Sequence, residues 1–133
     1  MAGPATEEFV RAAYAAFNAG DRLPSTEWWH EDGEFVAARE DPDSATHSGL
    51  DAVVAQYRRW IEAYPDLRVE PLDVRVGPND HVFLWVRFAG QGAGSGLPID
   101  MELAHVVTLR DGRIARIEEY FDRDEGLAAA GLA

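Results

Sequence analysis

Hydrophobic positions along this chain follow two rhythms. The first half is helical. Phe9, Ala13, Ala16 and Phe17 recur at three- and four-residue spacing. Thr6-Glu7-Glu8 offers a cap and acids suited to a helix start. Asn18-Ala19-Gly20-Asp21 ends this helix, with Gly20 as the left-handed residue. Leu23 to Trp29 reads as a short second helix, and Glu34 to Ala38 as a first strand. Glu40 to Ser48 is polar and contains Pro42, so it reads as a rim or lid. Ser48-Gly49-Leu50-Asp51 opens the strongest helix, with Val53, Tyr57, Trp60, Ile61 and Tyr64 on its buried side and Pro65 after its end.

From Leu67 onward the rhythm is that of strands. Leu67 to Val76 turns at Gly77-Pro78-Asn79-Asp80 into Val82 to Phe88. The loop Gly90 to Gly96 leads to Pro98 to Leu109, and Asp111-Gly112 turns the chain into Arg113 to Asp122. Asp-Gly between two alternating runs is a strong hairpin signal. Gly126 to Leu132 reads as a last helical turn, and Met1 to Thr6 as a loose end. Helices followed by consecutive antiparallel strands predict an α+β domain with helices on one sheet face.

Composition narrows the partners. The 133 residues make one domain, 1–133, with a formal net charge of −12. That charge repels phosphate backbones, so neither nucleic acid nor an anionic membrane is an expected partner. All 12 cations are arginine, which removes Schiff-base catalysis and a Walker lysine. The absence of cysteine removes thiol nucleophiles, disulfides and thiolate zinc sites. No apolar run approaches a membrane span. A cytoplasmic protein is expected.

Other motifs are weak. His30, His47, His81 and His105 show no metal-ligand spacing, so no metal and no other cofactor are expected. The Gly90 to Gly96 loop joins strands rather than opening a helix, so it lacks the helix terminus of a phosphate site. It reads as a flexible hairpin at a cavity mouth. Ser95 is not in a Gly-x-Ser-x-Gly elbow. His47 sits in the lid-like segment, and Trp28-Trp29 read as core residues sealing one end of the domain.

Four segments carry a family resemblance: Phe17-Asn18-Ala19-Gly20-Asp21, Ser48-Gly49 before a helix, Arg110-Asp111-Gly112-Arg113-Ile114, and Tyr120-Phe121-Asp122-Arg123 with Gly131-Leu132. In order and spacing they resemble the SnoaL-like branch of the nuclear transport factor 2-like superfamily. The resemblance implies a cone, with a curved mixed or antiparallel sheet wrapped around about three N-terminal helices and enclosing a cavity. The family includes polyketide cyclases, ketosteroid isomerases, epoxide hydrolases, dehydratases and binding proteins without chemistry, so fold alone does not decide function. Set against the ketosteroid isomerase pattern, the general base falls near Ala37 and the oxyanion tyrosine near Ala13. Tyr14 then stands one residue off, turned to another face. The oxyanion aspartate falls near Ala104, just before His105. Steroid isomerisation by that mechanism is therefore not expected.

Alternation sorts the candidates for chemistry. One face of the strand from Pro98 carries Asp100, Glu102, Ala104, Val106 and Thr108; the other carries Ile99, Met101, Leu103, His105, Val107 and Leu109. Hydrophobicity sends the second set to the core. The family register instead turns Ala104 inward, with Glu102 and Asp100, and leaves the apolar row outside to be buried in a homodimer. The same register points Ile117, Glu119 and Phe121 inward. Gln56 and Trp60, four apart on the long helix, reach the cavity. Val82, Leu84, Val86 and Phe88 form its apolar wall.

The expected catalytic pair is Glu102 and Glu119, two carboxylates on adjacent strands that act as acid and base. Gln56, Trp60, Leu84, Val86, Phe88, Asp100, Ile117 and Phe121 are the expected ligand contacts. The partner is a small apolar organic molecule, and any chemistry is cofactor-free cyclisation, isomerisation or hydration. The alternatives are a ligand-binding or accessory protein without turnover, and a protein-interaction module using the outer sheet.

Overall fold

The computed structural model describes residues 4–41, 45–94 and 96–132. The elements are α1 (Pro4–Asn18), β1 (Trp29–Val36), β2 (Thr46–Ser48), α2 (Leu50–Ala63), β3 (Arg68–Val76), β4 (His81–Gln91), β5 (Pro98–Arg110), β6 (Arg113–Tyr120) and α3 (Arg123–Ala129). The strands form one sheet in the order β2-β1-β6-β5-β4-β3. Neighbours are antiparallel except β1 and β6, which run parallel. The fold is the α+β cone implied by the family resemblance, with two N-terminal helices, α1 and α2, where about three were expected, and the third, α3, at the C-terminal end.

Local chemistry explains most boundaries. Gly20 takes φ 115 where α1 ends, a conformation that side chains rarely adopt. Asn18 then pins this end of α1 to β3. Its side-chain amide donates to the Val69 carbonyl and accepts from the Val69 N–H, both at 2.9 Å, as a strand partner would. Leu23 to Trp29 is not a helix as expected: a turn over 26–28 runs into β1. The Trp28 and Trp29 amides both donate to the Ser25 carbonyl, which closes that turn. Pro42 and Ser95 lie outside the described residues, as do the first three residues of the expected loose end. The lid-like segment continues as β2, pairing with β1 through His47 and Phe35. The glycine loop closes the β4–β5 hairpin, and its Ala93 N–H donates to Ala63 at the end of α2.

The sheet separates two apolar layers. The inner face packs on α1 and α2 and carries Val82, Leu84, Val86, Phe88, Leu103, Val107, Ile114 and Ile117. The outer face carries Phe83, Ala104 and Val106 under α3. Hydrophobicity was therefore the correct guide to β5, and the family register was read one residue out. Leu103 and Val107 are buried inside, with Met101 and Leu109 packed against the same core. The apolar row expected to form an outer dimer face is not on the outer face.

Helix α3 is held by backbone proximity. A Cβ on Gly126 would stand 2.5 Å from the Cβ of Ala104, and one on Gly77 would stand 2.3 Å from the Ala130 carbonyl oxygen. Gly126→Ala improves intrinsic helix propensity by less than the overpacking costs, because Ala104 has no flexible end to move aside. The variant is expected to lose about 1–3 kcal/mol, seen as a lower urea midpoint with an unchanged slope.

Candidate functional site

The central polar feature of the inner face is a hydrogen-bonded chain. His105 on β5 is directly opposite Glu119 on β6, so both side chains share one face at neighbouring positions. Imidazole Nε2 lies 3.2 Å from Glu119 Oε2. Nδ1 lies 2.7 Å from the Tyr14 hydroxyl on α1. His105 and Glu119 are 3% and 6% exposed at their side chains. With Nε2 protonated, His105 donates to the carboxylate and accepts the Tyr14 proton at Nδ1, which satisfies all three groups.

Aromatic rings enclose the imidazole. Phe88 and Phe35 meet it edge-on, with centroids 5.6 and 6.0 Å away. Trp60 stands against both phenylalanines, at 5.0 Å from Phe35 and 6.1 Å from Phe88. Burial, with help from Tyr57 and Glu119, pushes the Tyr14 phenol well above its ordinary range. Burial and then Glu119 do the same to Tyr57. Tyr14 therefore remains a neutral O–H donor through the physiological range.

Cavities meet this chain from different sides. The first, of about 50 Å³, is lined by Tyr14, His105, Trp28, Trp29, Tyr57 and Ile117 among others, with Asp21 and Arg22 also in its wall. The second, of about 100 Å³, is lined by Glu119 with Asp41, Leu67, Ile99, Met101 and Phe121. Trp60 and Phe88 are walls of both. Tyr14 and His105 thus border the first cavity, and Glu119 the second and a third, of about 130 Å³, beside Arg39, Glu40 and Glu118.

The structure redistributes the expected site residues. Glu119, Trp60, Phe88, Ile117 and Phe121 line cavities. Leu84 and Val86 are fully buried inner-face residues that line none of these three. Glu102 is not inside: it is exposed on the outer face and accepts from Trp85 Nε1 at 2.7 Å. Asp100 is likewise exposed and holds Arg87 in a bidentate pair at 2.7 and 2.8 Å. The Arg87 guanidinium keeps its carboxyl below the ordinary range. Gln56 lines none of the three and accepts from the Arg59 guanidinium instead.

Sequence reading missed Tyr14 and placed His105 on the wrong face. The signal for Tyr14 was present, since Val10, Tyr14 and Phe17 form the buried stripe of α1. A single-residue offset explains the His105 error, because a slip of one position turns every strand side chain to the opposite face; on helix α1 the same offset put Ala13 where Tyr14 stands. Near the expected base position, Ala37 and Ala38 carry no titratable group. Among the described residues no three His, Asp or Glu side chains stand together as a metal site.

Tyr14 and Tyr57 give a test of this geometry. Their folded values are raised, so their contribution is complete below the unfolded tyrosine value near pH 10. It is lost as pH climbs towards the folded values, at up to about 1.4 kcal/mol per pH unit for each. With no lysine in the chain, tyrosines dominate titration in this range. Urea midpoints between pH 9 and 11.5 are expected to fall steeply in the wild type and less steeply in Tyr14→Phe and in Tyr57→Phe. Parallel slopes would show that neither phenol is buried.

The chain matches the SnoaL-like domain over residues 10–117. Among curated proteins there is no match. Solved structures give the same fold. Bal32a, from a soil-derived mobile gene cassette, is 24% identical with a TM-score of 0.77, covering 91% of this chain and 92% of its own. A protein of Jannaschia sp. CCS1 named for its SnoaL-like polyketide cyclase character is 19% identical with a TM-score of 0.71, covering 100% of this chain and 97% of its own. TerC, co-crystallised with polyporic acid, is 21% identical with a TM-score of 0.68, covering 90% of this chain and 93% of its own. Among the described residues no helix is long and apolar enough to cross a membrane. On the family match and the shared fold, this chain belongs to the SnoaL-like family.

Proposed function

We propose that the protein binds a small apolar organic molecule in the cone and moves a proton within it, without a cofactor, as a cyclase, isomerase or hydratase. The observation that carries this reading is the buried Tyr14–His105–Glu119 chain set into an otherwise aromatic and aliphatic wall. Polyketide cyclases among the family's structures support the class of chemistry. In this reading Glu119 is the charge partner of His105, and His105 with Tyr14 takes the proton transfer expected of Glu102 and Glu119.

The chain acts as a relay. A carbon-bound proton beside a carbonyl passes to the Tyr14 oxygen while the phenolic proton passes to His105 Nδ1. The C–H electron pair remains on the ligand as an enolate. The imidazolium donates Nε2–H to Glu119, whose charge balances the new cation. The tyrosine hydroxyl is regenerated and donates to the enolate oxygen. Return of the proton to another carbon completes an isomerisation; attack of the enolate on a second carbonyl, with the imidazolium proton returned through Tyr14 to the new alkoxide, completes a ring closure. The low-polarity surroundings strengthen each of these interactions.

Deuterium incorporation from D2O into a panel of cyclic ketones and enones, followed by NMR, tests the reading. The wild type is expected to accelerate α-exchange for those compounds that raise its melting temperature. His105→Gln and Glu119→Gln are each expected to lose about 10²–10⁴ in rate, and Glu102→Gln to keep the wild-type rate. Binding without exchange by the wild type would leave a ligand-binding protein in place of an enzyme.

A further inference from the structure

The second cavity differs from the first in the charge it holds. Four of its lining residues are aromatic, Trp60, Tyr64, Phe88 and Phe121, and two are carboxylates, Asp41 and Glu119. Among the described residues no arginine or histidine lines it. The Glu119 side chain is 6% exposed, and its hydrogen bond comes from His105 Nε2. A neutral imidazole leaves the negative charge in place. Arg39, beside Glu119 at the third cavity, is bound to Glu125 at 2.6 Å. Asp41 is partly buried, and its N–H donates to the Ala38 carbonyl at 3.0 Å. Charges of one sign in a low-polarity wall focus their field into the space between them. A carboxylate at such depth is unfavourable by itself, and a cation beside it offsets part of that.

We infer that the second cavity is a binding site for an organic ammonium ion, held by the Glu119 charge and the surrounding rings. The wall selects that class. An anion would meet two like charges. A hard metal ion takes about six or more oxygen ligands, and two carboxylates in an otherwise apolar wall do not supply them. A neutral molecule fills the space and leaves the Glu119 charge as it was. A quaternary or tertiary ammonium spreads its charge over alkyl groups, which aromatic rings attract and apolar walls accept. The cavity, of about 100 Å³, is on the scale of such a head group. Phe121 in its wall is 36% exposed, so a substituent on the nitrogen can extend to solvent on that side. Trp60 and Phe88 line both this cavity and the first, and the inference does not depend on the proposed reaction.

The test is an NMR titration of the intact chain with choline chloride and with 3,3-dimethyl-1-butanol, which has the same shape without the charge. Choline chloride replaces potassium chloride at constant ionic strength. Choline is expected to shift the Ile99 and Met101 methyl signals, in the wall of the second cavity, and to leave Ile114, in the wall of the first, unmoved. It should bind about tenfold more tightly than the alcohol, or better. Glu119→Gln keeps the side-chain shape and removes its charge. It should weaken choline about tenfold and change the alcohol by less than about twofold. Asp41→Asn should weaken choline in the same direction, and it decides the matter if Glu119→Gln fails to fold. Equal binding of choline and the alcohol would overturn the inference, as would choline affinity that neither substitution lowers. Choline shifts confined to Ile114, or no shift at any of the three residues, would also overturn it. None of these results touches proton exchange in the first cavity, so the proposed function is decided by its own measurement.

Discussion

The contact between His105 and Glu119 constrains much of this molecule. Two titratable groups on facing strands lie in a layer built from Phe35, Phe88, Leu103 and Ile117. A carboxylate at that depth without a donor is strongly unfavourable, and so is an imidazole with an unsatisfied nitrogen. The pair removes two of the deficits and leaves one, at Nδ1. The third is met only because α1 crosses the sheet where Tyr14 reaches that nitrogen. Helix placement, strand register and ring orientation are thereby locked to one another, and the site is rigid because it is also part of the core.

The two faces of the sheet solve burial in different ways. Inside, long helices and large aromatic rings leave room for cavities. Outside, a short helix lies close on the sheet through glycine, and the remainder of the face is polar: Arg87 with Asp100, Trp85 with Glu102, and Arg123 with Asp73. Arg123 also lies over Phe83 and Trp85, with centroids 5.2 and 5.4 Å from its guanidinium carbon. The outer carboxylates are thus occupied in holding the surface together.

The architecture was legible because it rests on local signals. Asp111-Gly112 takes the left-handed turn its residue types favour, with φ 54 and 75. Gly20 and Pro65 mark the ends of the two long helices. The site was less legible because it depends on parity. Alternation divides β5 into two sets but does not say which set is inside; Leu103 and Val107 supply that answer through hydrophobicity, and the borrowed register overrode them. Glu119 was placed on the correct face because on β6 the borrowed register agrees with the burial of Ile117 two residues earlier. Tyr14 lies on a helix, where its neighbours Val10 and Phe17 reveal its side but not its distant partner. Cavity shape is a property of assembled rings and had no signal in the sequence.

The parallel pairing of β1 with β6 has a consequence for the order of assembly. Phe35 meets Ile117 and Val36 meets Glu118, while Tyr14 and His105 are 91 positions apart. Contacts of such long sequence separation require closure of large loops and are slow to form. The β3–β4, β4–β5 and β5–β6 hairpins can pair early, the last bringing Glu119 to His105 across a separation of 14, whereas β1 and α1 must find a nearly complete sheet. His105 is accordingly a core residue whose neighbours arrive from both ends of the chain. The three-residue chain is complete only when α1 docks, and species stalled before that would keep most of the sheet and the His105–Glu119 pair while lacking Tyr14.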